Sequence, residues 1–220
     1  SGGFISMFHD NGIKWDFRLE QVKSINLSGH KYGLVYPSVG WLLFRNETDV
    51  PKDLIFDVNY LGGHMPTYTL NFSRCSSMII AQYYNFIRLG KKGYKKIIKN
   101  MLAVSDVVVK GLIATGKFDL LGERRMAPVV SVCLKNSPGY SVFDISSKLR
   151  AHGWVVPAYT LPEAAEKIET LRIVVKENMS FMLAHHFIAS VNEVLNELED
   201  KSGKPHKYNT RKRGKQLATH

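Results

Sequence analysis

The hexapeptide Ser28-Gly29-His30-Lys31-Tyr32-Gly33 brings a hydroxyl, an imidazole and a primary amine into one short stretch. A neutral lysine amine attacks an aldehyde and condenses with it to an imine, and burial or a neighbouring cation favours the neutral form. His30 and Ser28 each have a donor that suits an anionic group such as a phosphate. Gly29 and Gly33 let backbone approach a ligand closely. Spacing alone favours a solvated loop lysine.

Other reactive side chains are less organised. Cys75 and Cys133 form no CxxC pair, so neither a zinc site nor a redox motif is expected, and both read as ordinary thiols in a reducing compartment. His185-His186 lies in a helical stretch without a matching carboxylate and reads as a surface or packing pair, so no metal site is expected. Arg172 sits in the apolar run LRIVVK, where a guanidinium needs a partner. A structural Asp or Glu satisfies that need, and the residues alone favour that pairing over a bound carboxylate. Ser73 precedes a helix that it is suited to cap, and Tyr60 suits a packing role.

The formal charge is +11, from 30 Lys and Arg against 19 Asp and Glu. Seven of the basic residues fall in 201–220, which hold no acidic residue, so the body is only mildly basic. Nucleic-acid binding would rest on that tail alone and is not expected. No apolar run reaches the roughly 20 residues that span a bilayer, and no signal-peptide pattern opens the chain, so a cytoplasmic, soluble protein is expected. At 220 residues and 45% hydrophobic content the chain can bury a core in one domain or two small ones.

The elements that position these residues follow from periodicity. VKSINL (22–27) alternates as a short strand, SGHKYG is a glycine-bounded turn, and residues 34–44 are strand material broken near Pro37 and Gly40. LGGHMP interrupts two strand-like pieces within 54–72. Ile79, Ile80, Tyr83, Tyr84 and Ile87 recur at helical spacing, and a second helix runs from Tyr94 to Ala114 between the punctuating Gly90 and Gly93 and the stop at Gly116. Strands are expected at 128–135, 154–159 and 171–176, and helices at 142–153 and 180–199, which together make a small α/β domain with a largely antiparallel sheet. The basic tail reads as flexible.

WDFRLEQVKSINLSGHKYGLVYPSVGWLLFR (15–45) closely resembles the lysine-bearing segment of glutamate decarboxylases, which are pyridoxal-phosphate-dependent enzymes, and is more distantly similar to the wider group of such decarboxylases. The resemblance continues through LIFDVNYLGG, NFSR, AQYYNFIRLG, GWVVPAYTL and LRIVV, in the family's order, to about residue 199. It implies pyridoxal 5'-phosphate as cofactor, L-glutamate as substrate, and a dimer or larger homo-oligomer. The implied fold is the C-terminal part of a fold-type I large domain (residues 1–90), then the small α/β domain (91–200) and the tail (201–220).

By position, Lys31 matches the lysine that holds the cofactor as an imine, and Ser28 and His30 match residues that hold its phosphate. Ser73 matches a serine that reaches the phosphate of the neighbouring subunit's cofactor. Arg172 matches the arginine that pairs with a substrate carboxylate, and Tyr60 lies in a hairpin bordering the active-site mouth. Related readings are a decarboxylase with another substrate, and a truncated, inactive homologue that dimerises with or regulates a full-length enzyme.

The chain also departs from the pattern. The aspartate that protonates the cofactor's ring nitrogen would stand three residues before Ser1. Ser1-Gly2-Gly3-Phe4 reads as a strand-to-loop junction inside a domain, so a fragment is expected. The tail lacks the Trp and the spaced apolar anchors of plant relatives, which speaks against calmodulin binding. The expected outcome is that residues 1–220 with added cofactor form no 4-aminobutyrate. Robust production in a chromatographic assay overturns this.

Overall fold

The computed structural model describes residues 2–9, 12–59, 62–68, 75–122, 126–136 and 138–201. Tyr60, Ser73 and the tail from Ser202, including its flexibility and the calmodulin reading, lie outside them. The chain divides into two compact units. The first comprises Ser1–Asp106, Glu123–Val129 and Val174–Ser180, and the second comprises Val107–Gly122, Val130–Ile173 and Phe181–His220.

In the first unit, α1 (Gly2–Phe8) precedes a hairpin of β1 (Ser24–Ser28) and β2 (Gly40–Phe44). Their antiparallel register pairs Leu27 with Trp41 and Ser28 with Gly40. A smaller antiparallel pair, β3 (Phe56–Val58) and β4 (Met65–Thr67), follows. The Gly2-Gly3 pair, expected at a strand-to-loop junction, is helical instead. Glycine is a poor helix former, but tertiary packing overrides propensity. A Cβ on Gly3 would lie 2.1 Å from Leu27 Cδ2. Only the bare backbone lets α1 seat against β1, burying Phe4 and Ile5.

The two helices that the sequence suggests follow one another directly as the two halves of α2 (Ser77–Ala114). The break survives as a kink at Gly90, whose φ of 52° and ψ of −174° are not helical. Phe86 and Tyr94, on either side of it, join Phe4, Phe8 and Trp41 in an aromatic core, with Phe8 and Tyr94 stacked at 4.6 Å. The stripe that announced the helix is not the buried face. Ile79, Ile80, Tyr83, Tyr84 and Ile87 are all more than half exposed, while Gln82 is fully buried.

The second unit carries nearly all of a sheet ordered β5-β6-β8-β7, with β5 (Phe118–Leu120), β6 (Val129–Leu134), β7 (Ala158–Thr160) and β8 (Glu169–Val174). The β5–β6 and β7–β8 pairs are antiparallel. β5 is an addition to the sequence expectation. β7 starts at Ala158, later than expected, because Pro157 cannot donate to a ladder. α3 (Val142–Ala151) begins in a capping box. The Ser141 hydroxyl accepts from the Asp144 amide at 3.2 Å, and the Asp144 carboxylate accepts from the Ser141 amide at 2.8 Å. It ends at Gly153 in the left-handed region, φ 82°.

α4 (Phe181–Lys201) closes the unit. A Cβ on Gly111 would lie 2.3 Å from Ile188 Cδ1, so α2 and α4 meet through a glycine notch. The Trp154 ring packs edge-on to Phe187 at 5.1 Å and donates to the Ser190 hydroxyl at 3.1 Å. No helix among the described residues is long and apolar enough to cross a membrane.

Phe187 is 2% exposed, so Phe187→Ala leaves a cavity beneath Trp154. The expected cost is about 3–5 kcal/mol. Urea titration reads it as a lower midpoint at unchanged slope.

Candidate active-site turn

β1 ends at Ser28, and residues 29–33 turn back toward β2. The Gly29 amide donates to the Val39 carbonyl at 3.1 Å, and the Leu34 amide donates to the Lys31 carbonyl at 3.3 Å. Tyr32 points inward and is 7% exposed, while His30 and Lys31 face outward and Ser28 is half-buried. The turn therefore presents a hydroxyl, an imidazole and an amine together on one short stretch of chain.

The glycines also carry a packing task. A Cβ on Gly29 would lie 2.7 Å from Gln82 Oε1 and 2.8 Å from Val39 Cγ1, and one on Gly33 would lie 2.5 Å from the Gly29 carbonyl oxygen. Both are needed for packing behind the turn. The burial that would favour a neutral amine is not found at Lys31. Its side chain is exposed in this chain.

Three side chains that sequence reasoning missed hold the turn. Gln82 Nε2 and the Tyr94 hydroxyl both donate to the Gly33 carbonyl, each at 2.8 Å. Asn85 Nδ2 donates to the Leu34 carbonyl at 2.6 Å. Leu34 is in the left-handed region, φ 61°, which a non-glycine residue adopts only when its surroundings impose it. Gln82 Oε1 is buried with no hydrogen-bond partner among the described residues. The available signal was a pair of amides, Gln82 and Asn85, in the otherwise apolar and aromatic stretch 78–87.

Arg172 belongs to the second unit. Along β8, Leu171 and Ile173 point into the core and Arg172 points out. Its guanidinium lies 5.6 Å from the centre of the Tyr159 ring, a cation–π distance, and it has no carboxylate partner among the described residues. The structural ion pair weighed from sequence is therefore absent there, and the fork remains free for a carboxylate. His186, in the pair on α4, packs against Trp154 at 5.8 Å. A separate cleft of about 660 Å³, lined by Lys14, Trp15, Phe17, Lys91 and Lys95, contains none of the expected site residues.

Residues 1–135 match the pyridoxal-dependent decarboxylase conserved domain. The chain is 49% identical to a glutamate decarboxylase of Solanum lycopersicum over 199 residues, which make up 90% of this chain and 40% of that protein. It is 43% identical to glutamate decarboxylase beta of Listeria monocytogenes over 202 residues, or 91% of this chain and 44% of that protein. The solved Lactobacillus brevis glutamate decarboxylase superposes with a TM-score of 0.84 at 41% identity, covering 90% of this chain and 46% of that one. An α/β fold with a lysine turn at the end of a strand is the class these findings define, that of the fold-type I pyridoxal enzymes. Within it, this chain belongs to the pyridoxal-dependent decarboxylase family. It spans about two fifths of the length of the curated relatives it matches.

The donor set fits that family's cofactor, since a primary amine suits the aldehyde, and a hydroxyl and an imidazole beside it suit the phosphate.

Burial pushes the Tyr94 hydroxyl above its ordinary value of 10.0, and burial followed by the Glu177 carboxylate does the same to Tyr32. Both phenols are thus favoured in the protonated form by folding. Their contribution is complete below about pH 10 and lost as pH rises through the raised folded values. Chemical denaturation between pH 9 and 11 is expected to show a stability loss that Tyr94→Phe makes shallower. An identical loss in that variant removes Tyr94 from the effect.

Proposed function

We propose that this chain is the lysine-bearing C-terminal portion of a cytoplasmic, pyridoxal-phosphate-dependent glutamate decarboxylase, which converts L-glutamate to 4-aminobutyrate and CO2. The observation that carries the reading is the turn at the end of β1, where the Lys31 amine stands outward between Ser28, His30 and the buried Tyr32. In this reading residues 1–90 belong to the cofactor-binding domain and 91–200 form the small domain.

Bound pyridoxal phosphate supplies an aldehyde for amines and a ring that accepts the electron pair left when a carboxylate departs as CO2. Lys31 would hold the cofactor through its aldehyde, with the carbonyl oxygen leaving as water, and Ser28 Oγ and a His30 ring nitrogen would donate to its phosphate. The Arg172 guanidinium takes a substrate carboxylate in a two-pronged contact, for which its planar fork is shaped. The resemblance assigns Ser73 to the phosphate of the neighbouring subunit's cofactor and Tyr60 to the active-site mouth, and on that basis the proposed working assembly is a homodimer or larger. The exposed stripe from Ile79 to Ile87 supports the reading that more protein covers this unit, since an apolar face of that size is seldom left in water.

Exposure of Lys31 favours one second reading, a non-catalytic homologue that pairs with a full-length decarboxylase. Both readings need the turn to accept the cofactor. Incubation of the protein with pyridoxal phosphate, borohydride reduction and peptide mapping are expected to place the label preferentially on Lys31, and Lys31→Ala to remove that preference. A label spread evenly over surface lysines counts against both. Label on Lys31, together with co-purification of a full-length relative that accounts for all glutamate turnover, selects the second.

A further inference from the structure

Gln82 and Tyr94 are 12 residues apart in one helix, yet Gln82 Nε2 and the Tyr94 hydroxyl are 3.3 Å from each other and share one acceptor. On a straight α-helix a separation of 12 residues is about 18 Å along the axis, too far for either side chain to bridge. The kink at Gly90 closes that distance. Its φ of 52° with ψ of −174° lies in a region open essentially to glycine alone. The two halves of α2 thus fold around the Gly33 carbonyl, and Asn85 adds a hold on the next carbonyl, at the left-handed Leu34.

We propose that α2, bent at Gly90, is a positioning device for Lys31, in which Gln82, Asn85 and Tyr94 are positioning residues that fix the backbone two and three residues beyond the reactive amine. None of the three is offered as a catalytic residue, and the proposal rests on the reading of Lys31 as the cofactor lysine. The Gly29–Val39 hydrogen bond anchors the entrance of the turn, and the clamp anchors its exit. Between those anchors, Lys31 is held by the backbone while its side chain stays outside. An amine at the tip of a flexible lysine side chain gains a defined reach only if its own Cα is fixed. Covalent capture of an aldehyde that is simultaneously held by its phosphate demands that definition. The orphaned Gln82 Oε1 fits the same account. The amide accepts an unsatisfied buried oxygen in order to aim its nitrogen at the turn.

The test compares wild type with Tyr94→Phe, Gln82→Met and Gly90→Ala in the 220-residue protein, using two measurements. Amide hydrogen exchange of residues 29–34, without cofactor, reads the clamp directly. The share of pyridoxal-phosphate label that borohydride fixes on Lys31, relative to all other lysines, reads its consequence. Tyr94→Phe, which keeps the ring in the aromatic core, is expected to speed exchange in the turn roughly five-fold and to lower the Lys31 share. Gln82→Met and Gly90→Ala are expected to act in the same direction. Faster unfolding overall with an unchanged Lys31 share makes the three mere supports of the fold and overturns the proposal, as does unchanged exchange in a folded Tyr94→Phe protein. Wild-type label that ignores Lys31 overturns the cofactor-lysine reading instead, and the exchange comparison still decides the clamp.

Discussion

One carbonyl oxygen organises the first unit. The Gly33 oxygen faces the protein interior, where an unsatisfied acceptor costs on the order of 1–3 kcal/mol, and it receives both the Gln82 amide and the Tyr94 hydroxyl. For those donors to converge, α2 must bend at Gly90. Gly29 and Gly33 must also lack Cβ atoms so that the turn can lie on Gln82. Tyr94 in turn is fixed by stacking on Phe8 of α1, and α1 reaches it because Gly3 clears Leu27 of β1. Four glycines and one polar cluster therefore constrain one another. The side chains left outside by that arrangement are those of His30 and Lys31.

The second unit follows a simpler rule. Alternation along β8 sends Leu171, Ile173 and Val175 inward and Arg172 outward, and the hydroxyl of the buried Thr170 finds the Val132 carbonyl at 3.1 Å. The sheet is covered by α3 and α4, whose meeting is reinforced at the surface by Lys148 with Glu197. Such exposed pairs add little stability, so the unit depends on its apolar layer, from Val142, Ile145 and Leu149 to Phe187, Val191 and Val194. Arg172 contributes nothing to that layer. A guanidinium that no carboxylate of the described chain claims, resting on Tyr159, has no evident structural task, which agrees with its proposed work on a ligand.

The face of α2 that carries Ile79, Ile80, Tyr83, Tyr84 and Ile87 shows where composition misleads. These residues have the spacing of a core stripe and are exposed, while the polar Gln82 takes the interior position. Hydrophobic periodicity reports that a helix has an apolar side. It does not report which surface that side will meet, and here the hydrogen-bonding needs of the lysine turn orient the helix.

Read alone, the sequence already determined the lysine turn, its flanking hydroxyl and imidazole, and the family pattern around them, because those are local features written in adjacent residues. It also determined most strands and helices of the second unit, whose periodicity is equally local. Only the tertiary structure decided that Gly2-Gly3 is helical, that the two helices meeting at Gly90 converge on one carbonyl, and that Lys31 is exposed in this chain. It alone showed that the glycines of the turn serve packing, and that Gln82, Asn85 and Tyr94 hold it. Those facts depend on contacts between residues 12 to 61 positions apart, and no pattern within a short window encodes which distant oxygen a side chain will reach.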